Sequence, residues 1–491
     1  VSGTGGELRY GTAAGRWVLL VTILGSGMAF LDGTVVNVAL PRIGEDLDAG
    51  LAALQWTVNA YTLTLAALIL LAGALGDRFG RRRVFLVGVV WFAVTSAACG
   101  LAPDATTLVA ARALQGVGAA LLTPGSLAIL QASFAREDRA RAIGAWSGLG
   151  GIAGAVGPLL GGWLVEAASW RWAFFINLPL AAVVVLAARH VPESRDEQRA
   201  PGLDLPGAAL GALALAGTTY ALTAWPEDGA SPVVLGALVG GLVALGAFVL
   251  RERSARSPML PLGLFGSRAF TASNLVTFAV YAALGGVFLL LVLELQVVAG
   301  SGPVAAGAAL LPVTLIMLAL SARMGAVSER TGPRLPMTVG PLLAAAGTVL
   351  LAGVDAETAY ARDVLPGVLL FGLGLSVTVT PLTATVLGSV DDRYAGTASG
   401  VNNAVARAAG LLAVAALPLL VGLSGDDYAD PAALQPAYRN AMLVCAGLLA
   451  AGGVLAALSV PGRARREPQV SLPPSCQAVS GPVHPGSDGP S

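Results

Sequence analysis

GALGDRFGRRRV, Gly73 to Val84, is a short and strongly basic loop between two long apolar runs, with Gly73, Gly76 and Gly80 set around Asp77 and Arg78. Its frame returns in GAVSERTGPR. The pattern Gly-x-x-x-acid-Arg-x-Gly occurs as Gly73, Asp77, Arg78 and Gly80, and again as Gly325, Glu329, Arg330 and Gly332. The same offset aligns Arg141, Gly144, Ser147 and Gly148 with Arg393, Gly396, Ser399 and Gly400. Two independent matches at one offset indicate a duplicated unit.

The composition says what kind of unit it is. The chain is 55% hydrophobic and 12% charged, with a mean hydropathy of +0.75, whereas soluble domains carry about 25% charged residues. This reads as an integral membrane protein. A net charge of zero gives no basic balance for nucleic acid and no acidic solvating tail. Cys99, Cys445 and Cys476, with His190 and His484, offer neither a disulfide framework nor metal-ligand spacing. The first apolar run is too long for a signal-peptide core and is expected to stay attached as the first span.

Runs of about 20 apolar residues cross a bilayer as helices, because lipid offers the backbone no other partner. Fourteen such spans are predicted, at 16–40, 52–75, 84–101, 106–131, 141–164, 171–190, 204–224, 231–250, 270–298, 305–324, 335–353, 364–388, 396–422 and 438–459. All basic residues are arginine, and they mark the sides: most lie in the tails or in alternate inter-span segments, as at Arg78 to Arg83 and Arg251 to Arg268. Arg42, Arg171, Arg362 and Arg439 are assigned to the other side, where Asp426, Asp427 and Asp430 collect. Cytoplasmic loops carry the positive excess, so both termini are expected in the cytoplasm of a cell-membrane protein.

The repeat then divides the chain. A cytoplasmic tail at 1–15 precedes a six-helix bundle at 16–190, and a second six-helix bundle occupies 270–459. An inserted helix pair at 204–250 lies between them, and a Pro-, Ser- and Gly-rich tail at 460–491 is read as disordered. Parallel halves of this kind fit an alternating-access transporter with a site near the midplane.

Ionisable groups inside spans are the residues to weigh, because insertion makes them costly. Asp32, in AFLDGTVVNVALP, is read as a proton carrier, against an inert interfacial carboxylate near the outer end of its helix. Arg112, in LVAARALQGVGAALLTPGSL, cannot neutralise itself and needs a carboxylate, carbonyl or water partner unless it snorkels. Glu294 is either a coupling or cation-recognising group or a headgroup-level carboxylate, and Arg407 is its conceivable counterpart. Asn37, Gln115, Gln296 and Asn402 are polar candidates for lining a substrate cavity. The fifth span, SGLGGIAGAVGPLLGGWL, carries Gly150, Gly154, Gly157, Gly161 and Gly162 with Pro158, more small residues than a packing face needs. That pattern points to a helix that slides or flexes against a neighbour.

These residues resemble the major facilitator superfamily and, within it, the fourteen-spanner drug/proton antiporter branch. GALGDRFGRRR is similar to the superfamily's loop signature between spans two and three. LDGTVVNVALP, RALQGVGAALLTPGSLAIL and GAVGPLLGGWL are similar to that branch's first-, fourth- and fifth-span motifs, and WRWAFFINLP to its sixth-span entry. The resemblance implies a latch in which Asp77 sits against the opposite half and pairs with nearby arginines among Arg78, Arg81 and Arg82, while Gly73 and Gly80 permit the contact. It implies proton coupling through Asp32 and Arg112, to which the position of Glu294 within its span adds a third candidate, and a hinge at Gly154, Gly157 and Pro158. The second loop departs from the pattern, with Glu329 as its acid and Pro333 after Gly332.

The expected function is proton-coupled export of small amphipathic organic compounds, cationic or neutral, such as antibiotics or dyes, powered by the proton gradient with no cofactor and no metal, by a monomer in the bilayer. The alternative is a facilitator or importer of a metabolite on the same scaffold. A membrane-embedded enzyme lacks the clustered His, Asp or Cys that catalysis requires.

Overall fold

A computed structural model describes residues 8–195, 204–255, 258, 260–390, 395–425 and 427–462, with side chains left out at Leu70, most of 136–155, Ala322, Ala326, Glu329, Ala395 and Gly396. Residues 1–7 of the expected N-terminal tail and nearly all of the C-terminal one lie outside this set, as does Arg393, and Gly150, Gly154 and Glu329 are described by their backbone alone. Among the described residues the only extended pairing is an isolated bridge between Leu8 and Phe134.

The N-terminal bundle comprises α1 (Ala13–Leu47), α2 (Leu51–Phe79), α3 (Arg81–Gly100), α4 (Ala105–Ser133) and α5 (Arg136–Ala167), closed by the broken span α6 (Trp172–Phe175) and α7 (Asn177–Ala187). Next come α8 (Leu205–Asp228) and α9 (Pro232–Ser254). The second bundle is α10 (Arg268–Val297), the broken span α11 (Pro303–Ala309) and α12 (Leu311–Thr331), then α13 (Arg334–Leu351), α14 (Leu365–Gly388), α15 (Ala395–Val421) and α16 (Pro431–Ser459). Thirteen spans are long and apolar enough to cross a membrane among the described residues, and α5 is the fourteenth rod. The protein is an all-α, multi-pass membrane protein of two six-helix bundles and two extra helices.

The structure corrects several expected ends. The first span does not stop at Pro41 but runs on to Leu47, so Arg42 lies on helix, paired with Glu45 at 2.7 Å. Proline removes one donor and leaves the Asn37 carbonyl free, a local cost that does not end this helix. Arg439 likewise sits inside α16 rather than in a loop. The sixth span is interrupted at Ile176 and the tenth at Leu310.

Local chemistry fixes the helix starts. Thr12, Asp104, Asp204, Ser231, Ser267 and Asp430 each accept a bond from a backbone N–H of the first turn. At α4 the Thr107 N–H reaches Asp104 at 2.8 Å and holds that carboxyl below its usual range. The duplicated loops match in backbone as well as sequence. Gly80 (φ 109°) joins α2 to α3 and Gly332 (φ 84°) joins α12 to α13, both in a region that side chains rarely adopt.

One face of the molecule carries the Gly73 to Val84 loop and is here called the basic face. Bonds between the bundles gather on the other. Among the described residues Gln296 Nε2 donates to the Val38 carbonyl at 3.2 Å, Leu51 N–H to Gly425 O at 3.0 Å, and Tyr428 Oη to Ala49 O at 2.8 Å. The seam below them is backbone against backbone. A Cβ at Gly162 would lie 2.6 Å from Val304 Cα, and one at Gly307 would meet the Pro158 carbonyl carbon at 2.8 Å. Gly161 meets α1 in the same way, with Val35 Cα 3.0 Å from a built Cβ. Helix α5 is thus held between α1 and α11. The α8 and α9 hairpin occupies the other seam, where α8 packs on both α2 and α15 and Tyr220 approaches Trp56 with ring centroids 6.2 Å apart.

Candidate functional site: a buried ion pair in the N-terminal bundle

Asp32 and Arg112 meet in the middle of the N-terminal bundle, at 0% and 1% exposure. Asp32 lies on α1 about five turns from its start and about four from its end, so the end-of-helix reading does not fit its position. Arg112 Nη1 donates to Asp32 Oδ2 at 2.6 Å and to Gln115 Oε1 at 2.6 Å, and Arg112 Nε donates to the Thr57 carbonyl at 2.9 Å. The other carboxylate oxygen, Asp32 Oδ1, accepts from Gln115 Nε2 at 2.8 Å and from Asn177 Nδ2 at 3.2 Å. Asn177 also donates to Ser96 Oγ at 3.0 Å, and that hydroxyl to Phe174 O at 2.8 Å. Among the described residues every span of the bundle except α5 contributes a group.

The pair is shaped by ordinary helix geometry. Arg112 and Gln115 stand three residues apart and share a face of α4. Gly116 lets α2 come so close that a Cβ there would lie 3.0 Å from the Tyr61 carbonyl carbon, and Thr64 Oγ1 bonds Ala113 O across the contact at 2.8 Å. This approach lays the Tyr61 ring 4.3 Å from the Arg112 guanidinium, with Phe174 at 5.8 Å on another side. One cation and one anion, enclosed by aromatic rings and amides, form a neutral unit. Its balance rests on the charge of Asp32, because a guanidinium stays charged at any accessible pH.

The remaining sequence candidates fall elsewhere. Glu294 on α10 is fully buried, and neither carboxylate oxygen has a partner among the described residues. Its electrostatic neighbours are Asp355 and Tyr438, and the Tyr438 hydroxyl donates to Leu351 O at 2.8 Å. No bond joins Glu294 to Arg407 among the described residues. Gln296 bridges the bundles, as described above. Asn402 donates to Asn274 Oδ1 at 3.3 Å and to Thr277 Oγ1 at 2.7 Å, which engages its amide within the second bundle. Asn37 is half-buried with no bonded partner among the described residues.

In the basic loop Arg81 bonds Asp77 at 2.8 Å, so among the described residues Asp77 is paired inside its own bundle and not across to the other. Arg78 is exposed, its guanidinium 5.5 Å from the Phe79 ring. Arg82 donates from Nη1 to Val191 O at 2.7 Å. Glu193 was not singled out from the sequence, yet its carboxylate accepts the Arg82 N–H at 3.0 Å and the Arg83 N–H at 3.2 Å at the start of α3, where the helix dipole favours an anion. Gly73 lies near Pro124 of α4. Asn177 and Tyr61 were missed as well. The only signal for Asn177 was a lone amide in the apolar run FFINLP.

Comparison with known proteins places the chain in a family. The profile of the Major Facilitator Superfamily matches residues 22–414. A puromycin resistance protein of Streptomyces alboniger is 38% identical over 463 residues, covering 91% of this chain and 92% of that protein. A tetracenomycin C resistance and export protein of Streptomyces glaucescens is 37% identical, covering 84% and 77%. A cephamycin export protein of Amycolatopsis lactamdurans is 35% identical, covering 95% and 96%. Among solved structures, an inward-facing bacterial homologue of the human lysosomal transporter Spinster superposes with a TM-score of 0.64 at 19% identity, covering 91% of this chain and 97% of that one. A POT family transporter gives 0.66 at 15% identity, covering 90% and 97%, and both likenesses bear on the fold alone. With a profile matched over most of its length and relatives alike from end to end, the chain is a membrane transporter of the major facilitator superfamily.

Proposed function

We propose that the protein is a proton-coupled antiporter that exports small amphipathic organic compounds, antibiotics among them, across the bacterial cell membrane, with the basic face in the cytoplasm. Export is supported by the resistance and export proteins to which the chain is similar over most of its length. Proton coupling rests on one observation, the enclosed Asp32 and Arg112 pair. Protonating Asp32 strips Arg112 of its counter-charge in a site that water does not reach, and an unpaired buried charge is far less stable than a paired one. The proton therefore changes which arrangement of the N-terminal bundle is favoured. Glu294 is a second proton-carrying position in this reading, because an enclosed carboxyl without donors is tolerated as the neutral acid and not as the anion.

The state described is closed on the face where Gln296, Tyr428 and Gly162 join the bundles, and the Asp77 latch is disengaged toward its own Arg81. Cargo is loaded from the basic face in this state. The Asp77 carboxylate engages the second bundle when the cavity turns outward.

The reading is tested in everted vesicles, where export becomes uptake. Uptake of a substrate drug driven by respiration should collapse on adding a protonophore. Uptake at an unchanged rate would remove the proton from the mechanism. A related expectation concerns Asp77→Ala, which deprives the outward-facing state of its latch and should raise labelling of a cysteine placed at Thr380, near Gly325 on the basic side of the second bundle. Labelling equal to that of the parent would mean that the carboxylate does not hold the bundles together.

A further inference from the structure

We infer that the transported compounds carry an anionic group, and that Arg407 on α15 is its binding partner in the cleft between the bundles; this deepens the export reading and rests on it. The position of Arg407 follows from its neighbours along α15. Three residues before it, Ala404 packs against the core of the N-terminal bundle. Three residues after it, Gly410 meets α10, its Cα 3.2 Å from a Cβ built on Gly285. Four residues before it, Asn403 is exposed. A face that touches one bundle on one side and α10 on the other, and opens to solvent a turn away, is the wall of the cleft. Arg407 lies within electrostatic range of Tyr61 and Tyr281, one from each bundle, and the Tyr281 carbonyl faces Gly410 one turn along α15.

Arg407 is half-buried and has no hydrogen bond or ion pair among the described residues. A guanidinium at this depth cannot shed its charge and calls for an acceptor. The acids nearest in kind are already committed. Asp32 is saturated by Arg112, Gln115 and Asn177, and Glu294 is enclosed in the second bundle beside Tyr438 and Asp355. Among the described residues the neutral Asp32 and Arg112 unit leaves Arg407 as an uncompensated charge on the cleft wall. An organic cation would meet repulsion there. A carboxylate, sulfonate or acidic phenol on an amphipathic skeleton would meet a fork of donors suited to bidentate pairing, with the half-buried Tyr281 near α15 for its apolar part.

Tyr61 gives the site a link to the proton. The same ring lies against Arg112 and within the field of Arg407, so an anion arriving at Arg407 changes the potential felt by the Asp32 pair. Anion and proton then report on each other through one aromatic side chain.

Purified protein in phosphatidylcholine nanodiscs would be titrated with fluorescein and with rhodamine 123, two dyes that share a xanthene ring and differ in charge, following tryptophan quenching. Fluorescein should bind at least about tenfold more tightly than rhodamine 123, a ratio within reach of one charge-assisted contact, and added salt should narrow the gap. Arg407→Gln should abolish the preference, while Arg407→Lys, which keeps the charge and loses the fork, should retain part of it. If the glutamine variant does not fold, the lysine variant and the salt series decide. Equal affinities in the parent protein, absence of saturable fluorescein binding, or a preference indifferent to Arg407 and to salt would each overturn the proposal. Loss of fluorescein binding when phosphatidylglycerol replaces phosphatidylcholine would assign Arg407 to a lipid headgroup and overturn it too. Arg407-dependent binding together with protonophore-insensitive vesicle uptake would sink proton coupling alone.

Discussion

Asp32→Asn should bring gradient-driven uptake into everted vesicles down to that of vesicles lacking the transporter, while substrate binding stays measurable. Asparagine keeps an oxygen for Arg112 Nη1 and an amide that can adjust to Gln115, so the geometry survives in large part. What disappears is the charge that answers Arg112 and the site at which a proton is gained and lost. Breaking a buried ion pair by removing one partner costs about 3–5 kcal/mol, and asparagine should show part of that as a lower unfolding temperature. The double variant Asp32→Asn with Arg112→Met removes both charges, and it should regain thermal stability without regaining uptake. Recovery of stability alone separates coupling from mere integrity of the fold. Wild-type uptake by the single variant would return Asp32 to a structural role.

Gly162→Leu is expected to act as strongly through the opposite face. No rotamer escapes the contact, because the Cβ itself falls 2.6 Å from Val304 Cα and 2.7 Å from the Pro303 carbonyl oxygen. Backbone cannot step aside as a side chain can, so α5 and α11 must part. Overpacking of this kind costs about 1–3 kcal/mol, and a bias of that size shifts a two-state ratio by about 5- to 150-fold. A cysteine at Val298, in a Cys476→Ser background, should become readily labelled from the outer side, and uptake should fall in step. Gly240→Leu is the control, since a Cβ there meets nothing within 4 Å. Labelling unchanged by Gly162→Leu would mean that the α5 and α11 seam is not a gate.

Hydropathy was enough to read the helical architecture, because lipid constrains length and composition directly and asks for no knowledge of neighbours. The duplicated glycine frame carried further. Gly80 and Gly332 hold the same unusual backbone in both bundles, a demand visible in sequence because few other residues satisfy it. The site was only half visible. Asp32 and Arg112 stand out as charges in oil, but their partners Asn177, Thr57 and Tyr61 are set by the rotation and tilt of four helices, which hydrophobic period does not encode. Gln115 was noticed for its polarity and given to a cavity. Its position three residues after Arg112 on α4 placed it in the ion-pair cluster. Where the sequence misled, as at Pro41, a local stop signal was outweighed by packing of the following turns, with Ile43 fully buried.

The inserted hairpin has a consequence for how greasy cargo arrives. A two-bundle transporter leaves two lateral windows toward the hydrocarbon, one along each line where its halves adjoin. Here α8, backed by α9, shutters the window beside α2 and α15. A route from the hydrocarbon into the space between the bundles is thereby removed on that side, while on the other side α5 itself packs against α11 and α12.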